Sequence, residues 1–541
     1  MRSTYTRITC LAIAFCLLLG LAMACSGSAG TESADSAAET VQSADASQSK
    51  EAVQSFDKSS PTPDQMPFGQ PPSGELPNGT PPGGMGQPPF GDRPDGTPPD
   101  GTPPGGMGQP PFGERPDGTP PGGMGQPPSG GPGGSSADID YKGAVEITAA
   151  DSQSGQTYAS DTVDESALLI STSDAVTVTD PTVTKTGDSD GGDNCNFYGL
   201  NAAVLVKDGA NVTITGGTVT SDAMGANGIF CYGGNGGRNG AAGDGTTVTI
   251  RDTVITTTGG GSGGIMTTGG GITYAYDLTV TTSGQSSAPI RTDRGGGTVY
   301  VDGGTYTSNG LGSPTIYSTA EIHVANATLT SNLSEGVCIE GKNSIELTNC
   351  DLTANNTRMN SNAGFLDTIM IYQSMSGDAD SGTSSFTMTG GTLTSKSGHV
   401  FHVTNTNAII TLSGVMIVNE DGANVLLSVC DDGWSGAGNV ATLNAKGQTL
   451  EGLLLVGSNA TLTLNLTEGS AFTGAVSGEI INAKGATVST EVGTVNVTLD
   501  STSTWTLTAD TYVSSFTGDA SSVIANGYTL YVNGAALTGT K

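Results

Sequence analysis

A short alternating phrase recurs through the second half of the chain, and it limits the possible folds more than any other feature. Each copy alternates apolar and polar residues, bends at Gly, Asn or Asp, and continues into a second short alternating run. The step between copies is most often about 23 to 26 residues, which is typical of the coils of a solenoid. Copies begin at Val212, Val248, Val299, Ile322, Ile345, Phe386 and Ile410.

The phrase itself predicts what each coil looks like. Period-two alternation buries one face of a strand, and Gly, Asn or Asp at the bend tolerates a positive φ. Coils stacked ~4.8 Å apart cover one another's edges except at the two ends. The chain has 83 Gly but only 5% aromatic residues, as expected of a turn-rich β protein. We therefore expect an all-β, single-stranded parallel β-helix over residues 137–541, capped by residues 497–541, with Trp505 in the core of the cap.

The N-terminus has the features of an export signal. Arg2 and Arg7 precede an apolar run, so residues 1–24 are predicted to be a signal peptide. The end of this segment resembles the bacterial lipobox, which implies that Cys25 carries a lipid, although Ala22-Met-Ala24 also fits ordinary cleavage at the same bond. The expected location is the extracellular face of the cell membrane, with the lipid as the sole membrane contact.

Two low-complexity segments separate this anchor from the repeats. Residues 25–60 are rich in Ser, Ala and Asp and contain too few large apolar residues to fold, so disorder is expected. Residues 61–136 repeat Pro/Gly phrases, including copies that begin at Gly83, Gly105 and Gly122. Such a segment acts as a semi-flexible spacer, and we expect it to cross the cell wall.

Charge and cysteine content exclude some classes of function. The formal charge is -32, with 19 basic residues against 51 acidic ones, which argues against nucleic-acid binding. Five cysteines follow Cys25, with spacing that fits neither a disulfide framework nor a metal pattern. One or two disulfides are possible outside the cell, but small buried side chains are the favoured interpretation of Cys195, Cys231, Cys338, Cys350 and Cys430.

Three stretches carry a family resemblance: Ile290-Arg-Thr-Asp-Arg-Gly-Gly-Gly297, Ser313-Pro-Thr-Ile-Tyr-Ser-Thr-Ala320 and Glu340-Gly-Lys-Asn343. They resemble surface β-helix proteins of Gram-positive gut bacteria within the pectate-lyase-like superfamily. The resemblance implies a right-handed helix. It also implies that any chemistry lies on the outer face of one parallel sheet, as Asp-bound calcium with an Arg base or as paired carboxylates. The Gly-His-Gly fingerprint of polygalacturonases is absent, because Val400 follows Gly398-His399.

One outward row of side chains is the main site prediction. If Ile290, Ile316, Ile339, Ile371 and Phe401 are equivalent inward positions, the residues after them point outward. Such a row would suit a sugar chain, or catalysis by Arg291, Asp293 and Glu340, or it could consist of salt bridges that merely cover the sheet. The predicted carbohydrate-binding residues are Arg291, Arg294, Tyr317, Glu340, Lys342, Tyr372 and His402.

One acidic loop, around Asp188, Asp190 and Asp193, is a candidate calcium site. Asp188, Asp190 and Asp193 offer oxygen ligands suited to calcium, with a solvated acidic loop as the alternative. His399 and His402 are three residues apart on a strand, and alternation would place them on opposite faces, which rejects a shared zinc ion. No other cofactor is expected.

Together these features predict a surface lipoprotein whose monomeric β-helix is an adhesin or carbohydrate-binding module. Its expected partners are host or dietary glycans, or surface proteins. The first alternative is a polysaccharide lyase or glycoside hydrolase that acts on acidic polysaccharides. The second is a structural surface protein without a ligand.

Overall fold

Three long parallel sheets build the protein. A computed structural model describes residues 139–236, 242–359 and 363–541. Sheets A, B and C have 15, 14 and 10 strands. Each of the first ten rungs contributes one strand to A, then B, then C, and the later rungs contribute strands to A and B but not to C. This is a right-handed, single-stranded parallel β-helix, as predicted. The signal peptide, Cys25, the Ser/Ala/Asp segment and the Pro/Gly linker lie outside the described residues.

The strands are short and follow one another regularly. Sheet A contains Lys142–Ile147, Glu165–Ser171, Val204–Lys207, Ile229–Tyr232, Ile265–Thr268, Ile290–Thr292, Ile316–Ser318, Val337–Glu340, Asp367–Tyr372, His399–Thr404, Val425–Val429, Thr449–Val456, Ala471–Ser477, Thr504–Leu507 and Val523–Ile524. Sheet B contains Asp151–Ser154, Ala175–Thr179, Asn211–Thr215, Thr247–Arg251, Gly271–Tyr276, Gly297–Asp302, Glu321–Ala325, Ser344–Thr348, Thr383–Thr389, Thr406–Ser413, Asn439–Lys446, Ala460–Thr467, Thr494–Leu499 and Ser515–Thr517. Sheet C contains Thr157–Ser160, Thr182–Lys185, Thr218–Ser221, Val254–Thr257, Thr279–Thr282, Thr305–Ser308, Thr328–Ser331, Asp351–Ala354, Thr392–Ser395 and Met416–Asn419.

Smaller elements leave this regular column. They are the helix Asp193–Tyr198, the 3-10 helix Ala520–Ser522, the antiparallel pair Glu479–Ile481 with Thr487–Thr490, and a small sheet of Thr511–Val513, Leu530–Val532 and Ala535–Ala536.

A ladder of apolar side chains fills the column. In sheet A, Ile265 pairs with Ile290, and Ile290 pairs with Ile316, in steps of 25 and 26 residues. All three side chains are fully buried. In sheet B, Val299 and Ile322 pair in the same way and are also fully buried. One face of most strands in the three sheets thus joins a continuous core, which is where most of the stabilisation of such a fold arises.

The turn from sheet B to sheet C explains the Gly, Asn or Asp of each phrase. Gly303 has a φ of 76°, and a Cβ there would lie 2.2 Å from Oδ1 of Asp277 in the previous rung. That position needs both a left-handed backbone and the absence of a side chain. The bend residues of the seven phrases all have positive φ, as predicted: Gly216, Asp252, Gly303, Asn326, Asn349, Gly390 and Gly414.

A serine ladder holds the turn from sheet C to sheet A. The backbone N–H of Ser262 donates to Oγ of Ser287 at 2.9 Å, that of Ser287 to Ser313 at 2.9 Å, and that of Ser313 to Ser334 at 3.0 Å. These buried groups are therefore satisfied from rung to rung. The ladder fixes where each central strand of sheet A begins.

The C-terminal rungs contain a large aromatic core residue. Trp505 has no solvent exposure, and its ring stacks on that of Phe472 with centroids 5.6 Å apart. Its indole N–H donates to the carbonyl oxygen of Gly474 at 3.1 Å. Trp505 is therefore a core residue, as the sequence predicted.

Candidate functional site

The outer face of sheet A carries two rows of side chains in its central part. The first row follows the strand register from rung to rung. The second row lies two residues further along the strands, where Glu340 pairs with Tyr372. The first row consists of Arg291, Tyr317, Cys338, Met370 and His402.

This register corrects the single row predicted from the sequence. Ile316 pairs with Val337, so Ile339 is not its rung equivalent. Ile371, which pairs with Ile339, is likewise not equivalent to Ile316. Glu340 and Tyr372, which follow these two residues, therefore belong to the second row. The cause is turn length: the step from Ile316 to Val337 is 21 residues, shorter than the two steps before it. A fixed step read from the sequence therefore overshoots by two residues at this rung.

Chain excursions cover both ends of this face. Phe197 and Tyr198 of the short helix pack with Leu205, Phe230 and Met266 at one end of the sheet. At the other end the covering cluster consists of Phe365, Val425, Cys430, Leu455 and Ile480. A groove remains between the two covered regions.

Two adjoining cavities form this groove, and both are lined by Gly312, Pro314, Tyr317 and Tyr372. The larger cavity has a volume of about 300 Å³ and the smaller one about 220 Å³. The larger cavity is further lined by Glu335, Cys338, Glu340, Ala363, Met370, Ser374, Ser376, Asp378 and Trp434, and the smaller by Ser286, Ala288 and Arg291.

Glu340 is the hydrogen-bonding centre of the groove. Its side chain is 2% exposed. Oε2 accepts hydrogen bonds from the hydroxyl groups of Tyr317 at 2.5 Å and Tyr372 at 3.1 Å. Oε1 accepts from Ser374 and, at 3.2 Å, from Ser376. Four hydroxyl donors thus fill the acceptor positions of one carboxylate.

The two tyrosines respond to this environment. Burial, and then the charge of Glu340, raise the pKa of Tyr317 well above its ordinary value, and the same two causes raise the pKa of Tyr372. Both phenols therefore stay protonated and remain hydrogen-bond donors. The ring of Tyr372 also lies 5.3 Å from that of Trp434, at an angle of 56°.

Arg291 is tied to neighbouring groups. Its Nη2 lies 2.6 Å from Oδ2 of Asp293, and its Nη1 donates to Oδ1 of Asn196 and to the carbonyl oxygen of Ser286. The guanidinium group lies 5.6 Å from the ring centre of Tyr317. Burial raises the pKa of Asp293 to about 6, although Arg291 opposes this shift.

The other two predicted cations are also paired. Nη2 of Arg294 lies 2.5 Å from Oδ1 of Asp378, and its guanidinium group lies over the ring of Phe197. Nζ of Lys342 lies 3.0 Å from Oδ2 of Asp380. The ion pairs considered for this surface therefore exist. Arg291 and Asp378 line the groove, whereas Lys342 lines a separate cavity.

A second acidic group lies at the far end of the groove. Glu335 and Asp367 are 4% and 1% exposed. Glu335 precedes the strand Val337–Glu340 and Asp367 begins the strand Asp367–Tyr372, and these two strands pair through Val337 and Ile369. Burial raises the pKa of both carboxyl groups, and the charge of Glu335 raises that of Asp367 further. Both carboxyl groups therefore hold their protons more tightly than ordinary carboxyl groups do.

His402 belongs to the first row but is covered. Its side chain is fully buried, and Nε2 lies 3.4 Å from Oδ2 of Asp432. The ring packs against that of Phe365, with centroids 4.7 Å apart and the ring planes tilted by 36°. Contact between His402 and a sugar would therefore require Phe365 to move.

The two histidines face the same side, which corrects the prediction from strand alternation. Nδ1 of His399 and Nδ1 of His402 each lie 2.7 Å from Oγ of Ser428. His399 begins its strand directly after Gly398, whose φ is 76°, so strict alternation does not hold there. Burial and the neighbouring His402 lower the pKa of His399 to about 3.

The loop proposed for calcium has protein partners. Oδ1 of Asp188 accepts a hydrogen bond from the backbone N–H of Met224 at 2.8 Å, and Asp193 begins the short helix. Asp190 is exposed. Among the residues that the structure describes, no group of three or more His, Cys, Asp or Glu is arranged to hold a metal ion.

The five cysteines after Cys25 are free and buried, in agreement with their predicted role as small core side chains. Cys338 lines the larger cavity. Burial raises the pKa of its thiol well above the ordinary value, so it is a poor nucleophile at neutral pH.

Several groove residues were not found from the sequence. Cys338 and Met370 belong to central strands of sheet A, and Glu335 lies just before the strand Val337–Glu340. They were missed because the fixed step read from the sequence overshoots the register by two residues. Trp434 comes from the loop after Val425–Val429, far along the chain, and no local pattern connects it with Tyr372. Ser374, Ser376 and Asp378 lie in or next to the excursion over residues 376–384, which the gaps between phrases did indicate.

Comparison of the chain with known protein families, curated proteins and solved structures found no match. Within the described part of the chain, no helix has the length and apolar character needed to cross a membrane.

Proposed function

We propose that this protein binds glycan chains in the groove over sheet A. The observation that supports this most is the meeting of Tyr317, Tyr372 and Trp434 around the Glu340 carboxylate in one cavity. Sugars present apolar C–H faces beside hydroxyl groups, and they pack on aromatic rings while they bond to fixed polar groups. A few polar groups among aromatic side chains are also the usual lining of a ligand pocket.

The dimensions of the groove fit short stretches of a polymer. Each cavity has room for one or two sugar rings, and the two adjoin at Tyr317 and Tyr372. The proposed binding mode therefore places consecutive sugars across neighbouring rungs, with Trp434 beside one of them. The floor is rigid, because it is built on paired strands, and this limits the entropy lost on binding.

The proposal includes display of the β-helix at the cell surface. Lipid attachment at Cys25 and a spacer over residues 25–136 would hold the groove outside the cell wall. Membership of the pectate-lyase-like superfamily is part of the same proposal. Incorporation of an alkyne-labelled fatty acid, lost in Cys25→Ser, tests the anchor.

A titration of the purified protein with a panel of soluble oligosaccharides tests glycan binding. Trp434→Ala should weaken binding at least tenfold, because it removes a groove ring from an exposed loop without disturbing the core. Tyr512→Ala is the matched control, since Tyr512 is an exposed aromatic residue on the C-terminal rungs. Absence of binding to every member of a broad panel would refute the proposal.

A glycoside hydrolase is a second candidate, and one observation favours it. Glu335 lines the same cavity as Glu340, and burial raises its pKa, as in a general acid. A lyase that uses Arg291 as a base is less favoured, because Arg291 is ion-paired with Asp293. Release of new reducing ends, abolished in Glu335→Gln, would support the hydrolase.

A further inference from the structure

Glu340 is a buried carboxylate without a cation. Among the described residues, no Lys, Arg or His forms an ion pair with it, and its four hydrogen-bond donors are all neutral hydroxyl groups. The nearby cations are paired elsewhere, Arg291 with Asp293, and Arg294 with Asp378. A buried charge is usually balanced by an opposite one.

The rest of the groove has the same sign of charge. Its ionisable lining consists of Glu335, Glu340 and Asp378 on the acidic side, and Arg291 on the basic side. Arg291 is neutralised by Asp293 at 2.6 Å and Asp378 by Arg294 at 2.5 Å, so Glu340 carries the negative charge that no ion pair balances. The field inside the groove is therefore negative, in a partly desolvated site where Coulomb interactions are stronger than in water.

Aromatic rings stand next to this charge. Tyr372 and Trp434 line the cavity beside Glu340, with their ring centres 5.3 Å apart. The negative faces of aromatic rings attract ammonium groups, most strongly at Trp, and desolvation strengthens this attraction. Carboxylate and rings thus favour the same kind of ligand group.

We propose that the groove selects glycans that carry a protonated amine, and that the ammonium group lies against Glu340 beside the rings of Tyr372 and Trp434. This inference rests on the proposed glycan binding. Ser376 is the donor that the ammonium replaces, because it lies on an exposed turn and makes the longest of the four bonds, at 3.2 Å. The ligand supplies the positive charge that the protein does not.

The same charges disfavour an acidic polymer. A uronate carboxylate in this cavity would face Glu340, and the nearby cations Arg291 and Arg294 are already paired with Asp293 and Asp378. The substrates expected of the enzyme alternative, acidic polysaccharides, therefore do not fit this groove. Neutral sugars remain able to pack on the rings but gain nothing from Glu340.

Three matched probes test the inference on the purified protein: hexamers of β-1,4-glucosamine, of β-1,4-N-acetylglucosamine and of galacturonate. At pH 6 and low salt, calorimetry should give at least tenfold tighter binding of the glucosamine hexamer than of its acetylated counterpart, and no binding of the galacturonate hexamer. The preference should shrink as salt is raised, because it is electrostatic.

Glu340→Gln identifies the group responsible. Glutamine keeps an acceptor for the tyrosine hydroxyls but removes the negative charge. The preference for the amine-bearing hexamer should therefore fall from at least tenfold to within about threefold, because an ion pair in a partly buried site can account for the affinity that is lost. Glu451→Gln, an exposed acid elsewhere on sheet A, should leave the preference unchanged. Trp434→Leu provides a second test that removes none of the four hydrogen-bond donors to Glu340, and it should weaken binding of the glucosamine hexamer.

The outcomes separate the inference from the function on which it rests. Equal or tighter binding of the acetylated hexamer would overturn amine selection while leaving glycan binding intact. Amine preference retained in Glu340→Gln would overturn it as well, because the preference would then come from the general negative charge of the protein. Absence of binding to all three probes and to the wider panel would refute both.

Discussion

Tyr317 donates a hydrogen bond to Glu340 across neighbouring rungs of sheet A, at 2.5 Å, although the two residues lie in different outward rows. The bond therefore runs diagonally across the sheet surface. With Tyr372 it ties three side chains from three successive strands into one network. These hydrogen bonds hold the side chains of the groove floor in place before a ligand binds.

The Tyr317 hydroxyl should stabilise the fold as well as the site. In Tyr317→Phe, Glu340 loses its shortest tyrosine contact, and we expect a loss of about 1.5–3 kcal/mol in the free energy of unfolding, as for hydrogen bonds to charged groups. Chemical denaturation measures this loss. Tyr512→Phe, an exposed tyrosine, should change the free energy by less than about 0.5 kcal/mol. Equal effects of the two substitutions would contradict the network.

Trp505 should be among the most costly residues to truncate. Its ring is fully buried against Phe472, so Trp505→Ala should lower the free energy of unfolding by about 3–5 kcal/mol. Glycan binding should persist below the unfolding transition, because the groove lies several rungs away. Loss of binding in a variant that is still folded, judged by circular dichroism, would disagree with this assignment.

The bend between sheets B and C offers a matched pair of glycines. Gly303→Ala adds a Cβ that meets Asp277 Oδ1 at 2.2 Å, whereas at Gly414 nothing lies within 4 Å. Both residues have positive φ, 76° and 61°, so the strain of the backbone is similar. Gly303→Ala should therefore be the more destabilising change, by at least about 1 kcal/mol. Similar unfolding midpoints for the two variants would show that the Asp277 side chain moves away from the added Cβ at little energetic cost, and would contradict this prediction.

Asp293 should make stability depend on pH. Its folded-state pKa of about 6 lies above its ordinary value of 3.8, so between these values the native state binds more protons than the unfolded state. This group thus favours folding at low pH, and its contribution falls by up to about 3 kcal/mol as pH rises from 4 to 6. Asp293→Asn should flatten the pH profile of the unfolding free energy in that window. If the unfolding free energies of the wild type and of Asp293→Asn depended on pH in the same way, the titrating group would be one other than Asp293.

The sequence predicted the fold well because its determinants are local. Alternation fixes the inward face, and the bend residues from Gly216 to Gly414 all adopt the positive φ expected of them. The site was predicted in part. Arg291, Tyr317, Glu340 and Tyr372 do line one groove, but the shortened step before Val337 shifted the register, and Trp434 reaches the groove from a distant loop. Turn length and loop packing depend on tertiary contacts that no periodic pattern contains.

Tryptophan fluorescence tests the central claim most directly. The chain has two tryptophans, Trp434 in the groove and Trp505 in the buried core, so Trp505 serves as an internal reference. Titration with the glucosamine hexamer should give a saturable change in emission that disappears in Trp434→Phe. Binding detected by calorimetry without any change in Trp434 emission would place the glycan outside the groove and contradict the account.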